Sequence, residues 1–134
     1  MTSAARTSIS ALPRGHEFQP ISFTLPRQAV AAYLRAVGDV NDYGEAVPPL
    51  AAVALGLTAL QDVISLPEGS LHTGQEAEHL TALRAGEPLS LSGRIAQRSE
   101  RQGFVISVIE FEIAGPEGVG VRARTTIMAP GASE

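Results

Sequence analysis

The side chains of this sequence that are best suited to proton chemistry are a carboxylate, a nearby amide and a histidine. Asp39 and Asn41 lie in a polar stretch that follows an apolar-periodic segment, and His72 lies further along the chain. A carboxylate and an imidazole can share acid–base work when both reach the same water, because one takes a proton and the other gives it back. An amide beside them can orient that water. Asp39, Asn41 and His72 therefore have the side-chain types that such chemistry needs.

Each of these residues also has an ordinary structural explanation. Asp and Asn in loops commonly bond nearby backbone groups, and His72 can serve as a structural histidine bonded to a carbonyl. Tyr43 can in principle donate a proton as well. Both explanations stay open at this point.

Composition excludes several other chemistries. The chain has no cysteine, and all ten basic residues are arginine. Disulfides, a thiolate metal site, a cysteine nucleophile and a Schiff-base lysine are therefore absent. His72, Glu76 and His79 would suit a metal only if their segment were helical, and its pattern favours a strand. We expect no metal and no cofactor.

Length, charge and hydropathy limit the domain organisation, the partners and the location that are possible. The 134 residues suit one domain, and the net charge of −4 argues against a nucleic-acid partner. Residues 1–15 are predicted to be a disordered lead, residues 16–129 the folded domain and residues 130–134 a flexible tail. The longest apolar run, residues 50–60, is too short to span a membrane, and no signal-peptide pattern precedes the domain. We expect a cytoplasmic protein with no membrane partner.

The periodicity predicts an α+β fold. Residues 50–64 form a helix that is apolar on nearly every side, so it must be buried on nearly every side. A curved antiparallel sheet of about five strands would wrap around it, and a second chain is expected to complete the cover. The other predicted elements are a strand at 17–25, a helix at 26–37, a weaker strand at 71–80 and strands at 88–99, 102–114 and 118–128.

The polar stretch carries a family resemblance. Gly38-Asp39-Val40-Asn41 resembles the Gly-Asp-x-Asn-Pro-x-His loop of MaoC-like hydratases and dehydratases, which have the hot-dog fold. In this sequence Asp42 stands at the proline position and Gly44 at the histidine position. The resemblance implies that Asp39 belongs to an acid–base pair whose second member is missing from the loop. It makes Asp39 and Asn41 candidate catalytic residues, with His72 as the candidate to replace the missing histidine.

Three further segments resemble the same family, in its N-terminal-domain type. They are Val47-Pro48-Pro49, the His-x-x-Gln segment that begins at His72, and the run from Leu83 to Leu89. The resemblance implies that Pro49 and Leu50 open the buried helix, where free amides would face the thioester oxygen. It also implies that Gly74 and Gln75 lie near the substrate.

The resemblance implies reversible hydration of 2-enoyl thioesters of coenzyme A or acyl carrier protein, without a cofactor. The favoured version is a subunit of a homodimer or heterodimer in which a second MaoC-like chain supplies the complete Asp and His loop. In another version, Asp39 works with His72 of the same or the neighbouring chain. A non-catalytic acyl-thioester-binding module and a hot-dog thioesterase are the alternatives. The Gly-Asp-x-Asn run aligns better with hydratases than with thioesterases.

Overall fold

The structure, a computed structural model, describes residues 6–131. It contains a 3-10 helix at Ile9–Ala11 and two α-helices, α1 (Arg27–Ala36) and α2 (Pro49–Leu60). Two-residue strands form small pairs outside the main sheet: β1 (Thr7–Ser8) with β4 (Ile64–Ser65), and β3 (Ala46–Val47) with β6 (Leu83–Arg84). The main strands are β2 (Ile21–Thr24), β5 (Leu71–His79), β7 (Pro88–Arg101), β8 (Phe104–Gly115) and β9 (Gly118–Pro130).

The main sheet has five antiparallel strands in the order β2-β7-β8-β9-β5. Strands β7, β8 and β9 form a meander, and the turn from β7 to β8 contains only Gln102 and Gly103. Both residues have positive φ angles, 51° and 84°, as a tight two-residue hairpin turn of this kind requires. Strands β2 and β5 lie at the two edges. The predicted α+β class, with about five strands, is confirmed.

Helix α2 packs against the inner face of this sheet. The contact is close at Gly56, where an added Cβ would lie 2.7 Å from Ile113 Cδ1 and 3.3 Å from Leu91 Cδ1. Alternate residues of the central strands point toward the helix and are buried, as the strand period of two requires. These inward residues include Leu89, Leu91, Ile95, Ile109, Phe111, Ile113 and Val121.

Several predicted elements differ in extent, and strand β2 covers only Ile21–Thr24 of the predicted 17–25. Helix α2 ends at Leu60, not at residue 64, because Ile64 joins the parallel pair with Thr7 and is buried there as part of a strand. Residues 71–80, the weaker strand prediction, form the nine-residue strand β5. The sequence pattern of this segment indicates a strand only weakly, and pairing with β9 is what fixes it as one.

The predicted disordered lead is wrong for the residues that the structure describes near the N-terminus. Ile9 is 0% exposed and belongs to the core, and the 3-10 helix contacts β8 and β9. The hydroxyl of Ser10 donates to the carbonyl of Pro130 at 2.7 Å, and Arg98 Nη2 donates to the carbonyl of Ser10 at 2.9 Å. Ile9 is surrounded in the sequence by small and polar residues, so the pattern did not indicate that it would be buried in the core. Residues 1–5 lie outside the described residues.

The predicted flexible tail begins too early as well. Pro130 is the last residue of β9, opposite Phe104, and Gly131 N donates to the carbonyl of Gly103 at 2.8 Å. Residues 132–134 lie outside the described residues.

One side of α2 is less covered than its composition predicts. Ala51, Ala52 and Val53 are buried, whereas Leu50 is 62% exposed and Thr58 is also exposed. A single chain therefore leaves part of this apolar helix in contact with water. In the described range 6–131, we find no helix that is long and apolar enough to cross a membrane.

The ordered N-terminal segment can be tested by truncating its anchor. We expect Ile9→Ala to lower the free energy of unfolding by about 2–5 kcal/mol, since it removes a fully buried side chain and leaves a cavity. Thr7→Ala, at an exposed position two residues away, is the control. Chemical denaturation of both variants measures the difference. Equal stabilities would mean that this segment does not belong to the folded core.

Candidate active site

The end of helix α1 fixes the position of Asp39. Gly38 has a φ of 74°, the left-handed conformation that commonly ends a helix at glycine. The amide of Asp39 then reaches back and donates to the carbonyl of Leu34 at 2.9 Å. The first residue of the polar loop is thereby attached to the last turn of α1, which gives its carboxylate a defined starting point.

Asp39 is the centre of a hydrogen-bond network within the loop. Its Oδ1 accepts from the backbone amide and from the side-chain Nδ2 of Asn41, each at 2.9 Å. Its Oδ2 accepts from the hydroxyl of Tyr43 at 2.6 Å. Asp39 and Asn41, two predicted catalytic residues, are therefore in direct contact. Tyr43, the third member, was considered in the sequence only as a possible donor.

This network shifts the pKa values of Asp39 and Tyr43 in opposite directions. The hydroxyl of Tyr43, followed by the amide of Asn41, lowers the pKa of Asp39 below its ordinary value. The hydrogen bond to Asp39 raises the pKa of Tyr43 above its ordinary value. Near neutral pH the loop therefore holds a carboxylate that is ionised and a phenol that is protonated.

Gly44 occupies the position of the histidine in the resembling motif. Its φ is 63°, and its amide donates to Asp42 Oδ1 at 2.8 Å. An added Cβ would meet no atom within 4 Å, so the space at this position is open. The backbone turn, and not crowding, is what favours glycine here.

The surface around Asp39 is unusually apolar for an exposed loop. Val40 is 96% exposed, Val37 is 57% exposed, and Tyr43 and Leu50 are exposed as well. Exposed apolar side chains grouped near one polar centre are typical of a surface that another molecule covers. A carboxylate that is covered in this way would lose much of its water.

His72 lies in a different part of the molecule. It is on β5 opposite Ile127, and it lines a cavity of about 230 Å³ next to the C-terminal end of α2. The walls of this cavity are mostly apolar. They comprise Leu57, Leu60, Ile64, Leu66, Ile109 and Ile127, together with Gln61, His72 and Thr125.

The structure does not bring His72 and Asp39 together within one chain. No hydrogen bond joins them in the described part of the protein, and Asp39 does not line the cavity of His72. The loop of Asp39 leads into the N-terminal end of α2, whereas His72 lies beside its C-terminal end. The helix between these ends is about 17 Å long, from its 12 residues.

The predicted substrate-binding residues fall into two groups. Pro49 begins α2 and Leu50 follows it, so both lie at the helix end that the Asp39 loop leads into. Gly74 lies at a bulge in β5, and Gln75 is next to it. Gln75 Oε1 accepts from the hydroxyl of Thr125 at 2.9 Å, which places Gln75 beside a residue of the His72 cavity.

The outer face of the sheet has a larger hollow, of about 590 Å³, but its charges are already paired. Arg94 contacts Glu110 at 2.9 Å, Arg124 contacts the same carboxylate at 3.4 Å, and Arg122 contacts Glu112 at 2.9 Å. Exposed pairs of this kind contribute little to stability, because water and salt screen their attraction. Among residues 6–131, no group of three or more histidine, aspartate or glutamate side chains is placed to hold a metal.

Comparisons with known proteins agree with this architecture. No family profile matches the sequence, and no curated protein matches it. Several solved structures, however, are similar to this one. An (R)-hydratase, PhaJ1 from Pseudomonas aeruginosa, has 14% identity and a TM-score of 0.72, over 95% of this chain and 88% of that one. A MaoC-like dehydratase from Rhodospirillum rubrum has 14% identity and a TM-score of 0.72, over 95% and 99%.

A third match is a complex. The structure of C-terminally truncated HadBC, a 3R-hydroxyacyl-ACP dehydratase complex from Mycobacterium tuberculosis, has 21% identity and a TM-score of 0.67, over 87% of this chain and 96% of that one. This chain therefore has the hot-dog fold, in the form found in MaoC-like dehydratases and (R)-hydratases. The resemblance noted in the sequence is confirmed at the level of the fold.

The network around Asp39 can be tested by titration. We expect Tyr43→Phe to raise the pKa of Asp39 toward its ordinary value, because the phenol that favours the ionised carboxylate is lost. NMR titration of the carboxyl carbon in both proteins measures the shift. Tyr33→Phe is the control, since the structure shows no hydrogen bond between Tyr33 and Asp39. An unchanged Asp39 titration in Tyr43→Phe would contradict the contact.

Proposed function

We propose that this protein is a hydratase or dehydratase that interconverts 2-enoyl and 3-hydroxyacyl thioesters carried on coenzyme A or acyl carrier protein. The observation that supports this most is the ionised, hydrogen-bonded carboxylate of Asp39, held by a Gly-Asp-x-Asn loop on a hot-dog fold. Hydration of an enoyl thioester needs a base to take a proton from water, and Asp39 is suited to that role. The proposed setting is the cytoplasm, in fatty acid metabolism, without a cofactor.

The His72 cavity is the proposed site for the acyl chain. Its mostly apolar walls suit a hydrocarbon, and His72, Gln61 and Thr125 are the polar residues in its lining. Gln75, which bonds Thr125, would fix the position of that hydroxyl. At the other end of α2, the first-turn amides near Pro49 and Leu50 have no acceptor within the helix and would face the thioester oxygen.

We further propose that a second hot-dog chain, identical or related, lies along β5. This edge strand is exposed over most of its length, and Leu66, Leu71 and Leu80 are large exposed apolar residues on or near it. An unpaired edge of nine residues is otherwise an aggregation hazard. The HadBC structure supports a paired arrangement, since HadBC is a complex. A related partner with a complete loop would supply the histidine that Gly44 replaces.

The role of Asp39 predicts a large loss of activity. We expect Asp39→Asn to lower the hydration rate of enoyl thioesters by about 10²–10⁴-fold, as loss of a general base does. The measurement is the decrease in enoyl absorbance with thioesters of several chain lengths. Asp42→Asn is the matched control, since an asparagine oxygen can still accept from Gly44 N in the same loop.

Other outcomes of this assay favour the alternatives. A folded protein that binds acyl thioesters without turnover would be an acyl-binding module or a subunit that needs a catalytic partner, and adding a chain with the complete loop separates the two. Release of free thiol without loss of the double bond would indicate a thioesterase. Loss of activity in His72→Ala would support a centre that pairs Asp39 with His72, from the same or the neighbouring chain.

The partner surface can be tested separately. We expect Leu71→Asp to convert the assembled protein to monomer, because it places a charge at an exposed apolar residue of the edge that a second chain would cover. Phe104→Asp, at an exposed apolar residue of β8, is the control. Analytical ultracentrifugation measures the mass. A wild-type protein that is monomeric at all concentrations would contradict a self-paired edge.

A further inference from the structure

We propose that Tyr43 is the proton donor that works with Asp39 and that it replaces the histidine missing at Gly44. This inference rests on the proposed hydratase function and names a catalytic residue for it. It is carried by the direct contact between the Tyr43 hydroxyl and Asp39 Oδ2, at 2.6 Å, in the same loop that carries the motif.

The coordination of Asp39 leaves room for a reacting water. A carboxylate has about four lone-pair positions, two on each oxygen. Among residues 6–131, Oδ1 accepts the two donors of Asn41, and Oδ2 accepts Tyr43 alone. One position on Oδ2 is therefore available, directly beside the phenol. A water bound there would contact the base and lie close to the acid.

The two groups also have the protonation states that the reaction needs. At neutral pH Asp39 is ionised and Tyr43 is protonated, and the lowered pKa of Asp39 and the raised pKa of Tyr43 hold the two groups in these states. Environments that separate two pKa values in this direction assign one group as base and the other as acid. Asp42 and Glu45 are the other acidic groups of the loop, and neither is among the causes of the Tyr43 shift.

The hydration step balances with these two groups alone. Asp39 takes a proton from water as the water oxygen forms a bond to C3 of the enoyl thioester. The electron pair of the double bond moves to C2 and the thioester carbonyl, and the Tyr43 hydroxyl gives its proton to C2. The resulting phenolate then receives the proton held by Asp39 across their hydrogen bond. Both groups return to their starting states, and dehydration follows the reverse order.

The position of Tyr43 favours it over His72 as the proton donor that works with Asp39. Tyr43 is exposed, and so are Val37 and Val40 in the same segment of the chain, so a covering chain or substrate would exclude water from it. His72 lines a separate cavity beside the other end of α2. In one chain, Tyr43 is the group that already contacts the base.

The test compares Tyr43→Phe with Tyr33→Phe, the matched substitution at the other tyrosine, in the full-length protein. We expect Tyr43→Phe to lower kcat for enoyl hydration by about 10²–10⁴-fold with little change in KM, and Tyr33→Phe to retain the wild-type rate. The unfolding midpoints of both variants establish that they are folded.

The pH profile separates a proton donor from a structural tyrosine. Wild-type activity should fall at alkaline pH as Tyr43 ionises, at a pH above the ordinary tyrosine range because its pKa is raised. The residual activity of Tyr43→Phe should lack this alkaline limb. Its acid limb should move to higher pH, since Asp39 loses the hydrogen bond that lowers its pKa.

The outcomes distinguish this inference from the function on which it rests. An active wild type whose Tyr43→Phe variant keeps its rate and its alkaline limb would overturn the role of Tyr43 and leave the hydratase function standing. A folded wild type without turnover, both alone and with an added chain that carries the complete loop, would overturn both. Turnover that requires an added chain with its own loop histidine would support the fold-based function and overturn Tyr43 as the donor.

Discussion

Burial of helix α2 is the constraint on which the rest of the structure depends. Its residues are apolar around most of the circumference, and exposing them to water would cost about 25 cal/mol for each Å². The central strands present a continuous apolar inner face to the helix. Gly56 has no side chain, so the helix can approach this face closely at Leu91 and Ile113. The N-terminal segment, through Ile9, covers a further part of the same core.

The chain does not bury all of its apolar surface, and the apolar residues that stay exposed lie near the regions of the proposed site. Leu50 at the start of α2 stays exposed, and so does the apolar edge around Leu71 on β5. The Asp39 loop leads into the first of these regions, and the His72 cavity adjoins the second. A second chain and a thioester substrate would remove both from water. The surface that the fold leaves open thus includes both regions of the proposed site.

Much of the fold was predictable because local patterns carried it. The two helices, the three strands of the meander and the all-apolar character of α2 follow from periodicity and turn residues. The order of residues 7–12 was not predictable, because it depends on Ile9 meeting distant strands and on the bond from Ser10 to Pro130. The strand at 71–79 was weakly signalled, since its edge position leaves it little alternation to display.

The sequence by itself determined the residue types of the site: Asp39 and Asn41 in a Gly-Asp-x-Asn run, glycine in place of histidine, and His72 in a separate segment. Only the tertiary structure decided which of these residues meet. It joined Asp39 to Asn41 and to Tyr43, and it placed His72 beside the other end of α2. The reason is that a hydrogen bond requires two atoms within about 3 Å. Sequence spacing fixes such a distance only within regular elements, whereas this loop takes its shape from the left-handed Gly38 and from Asp39 itself.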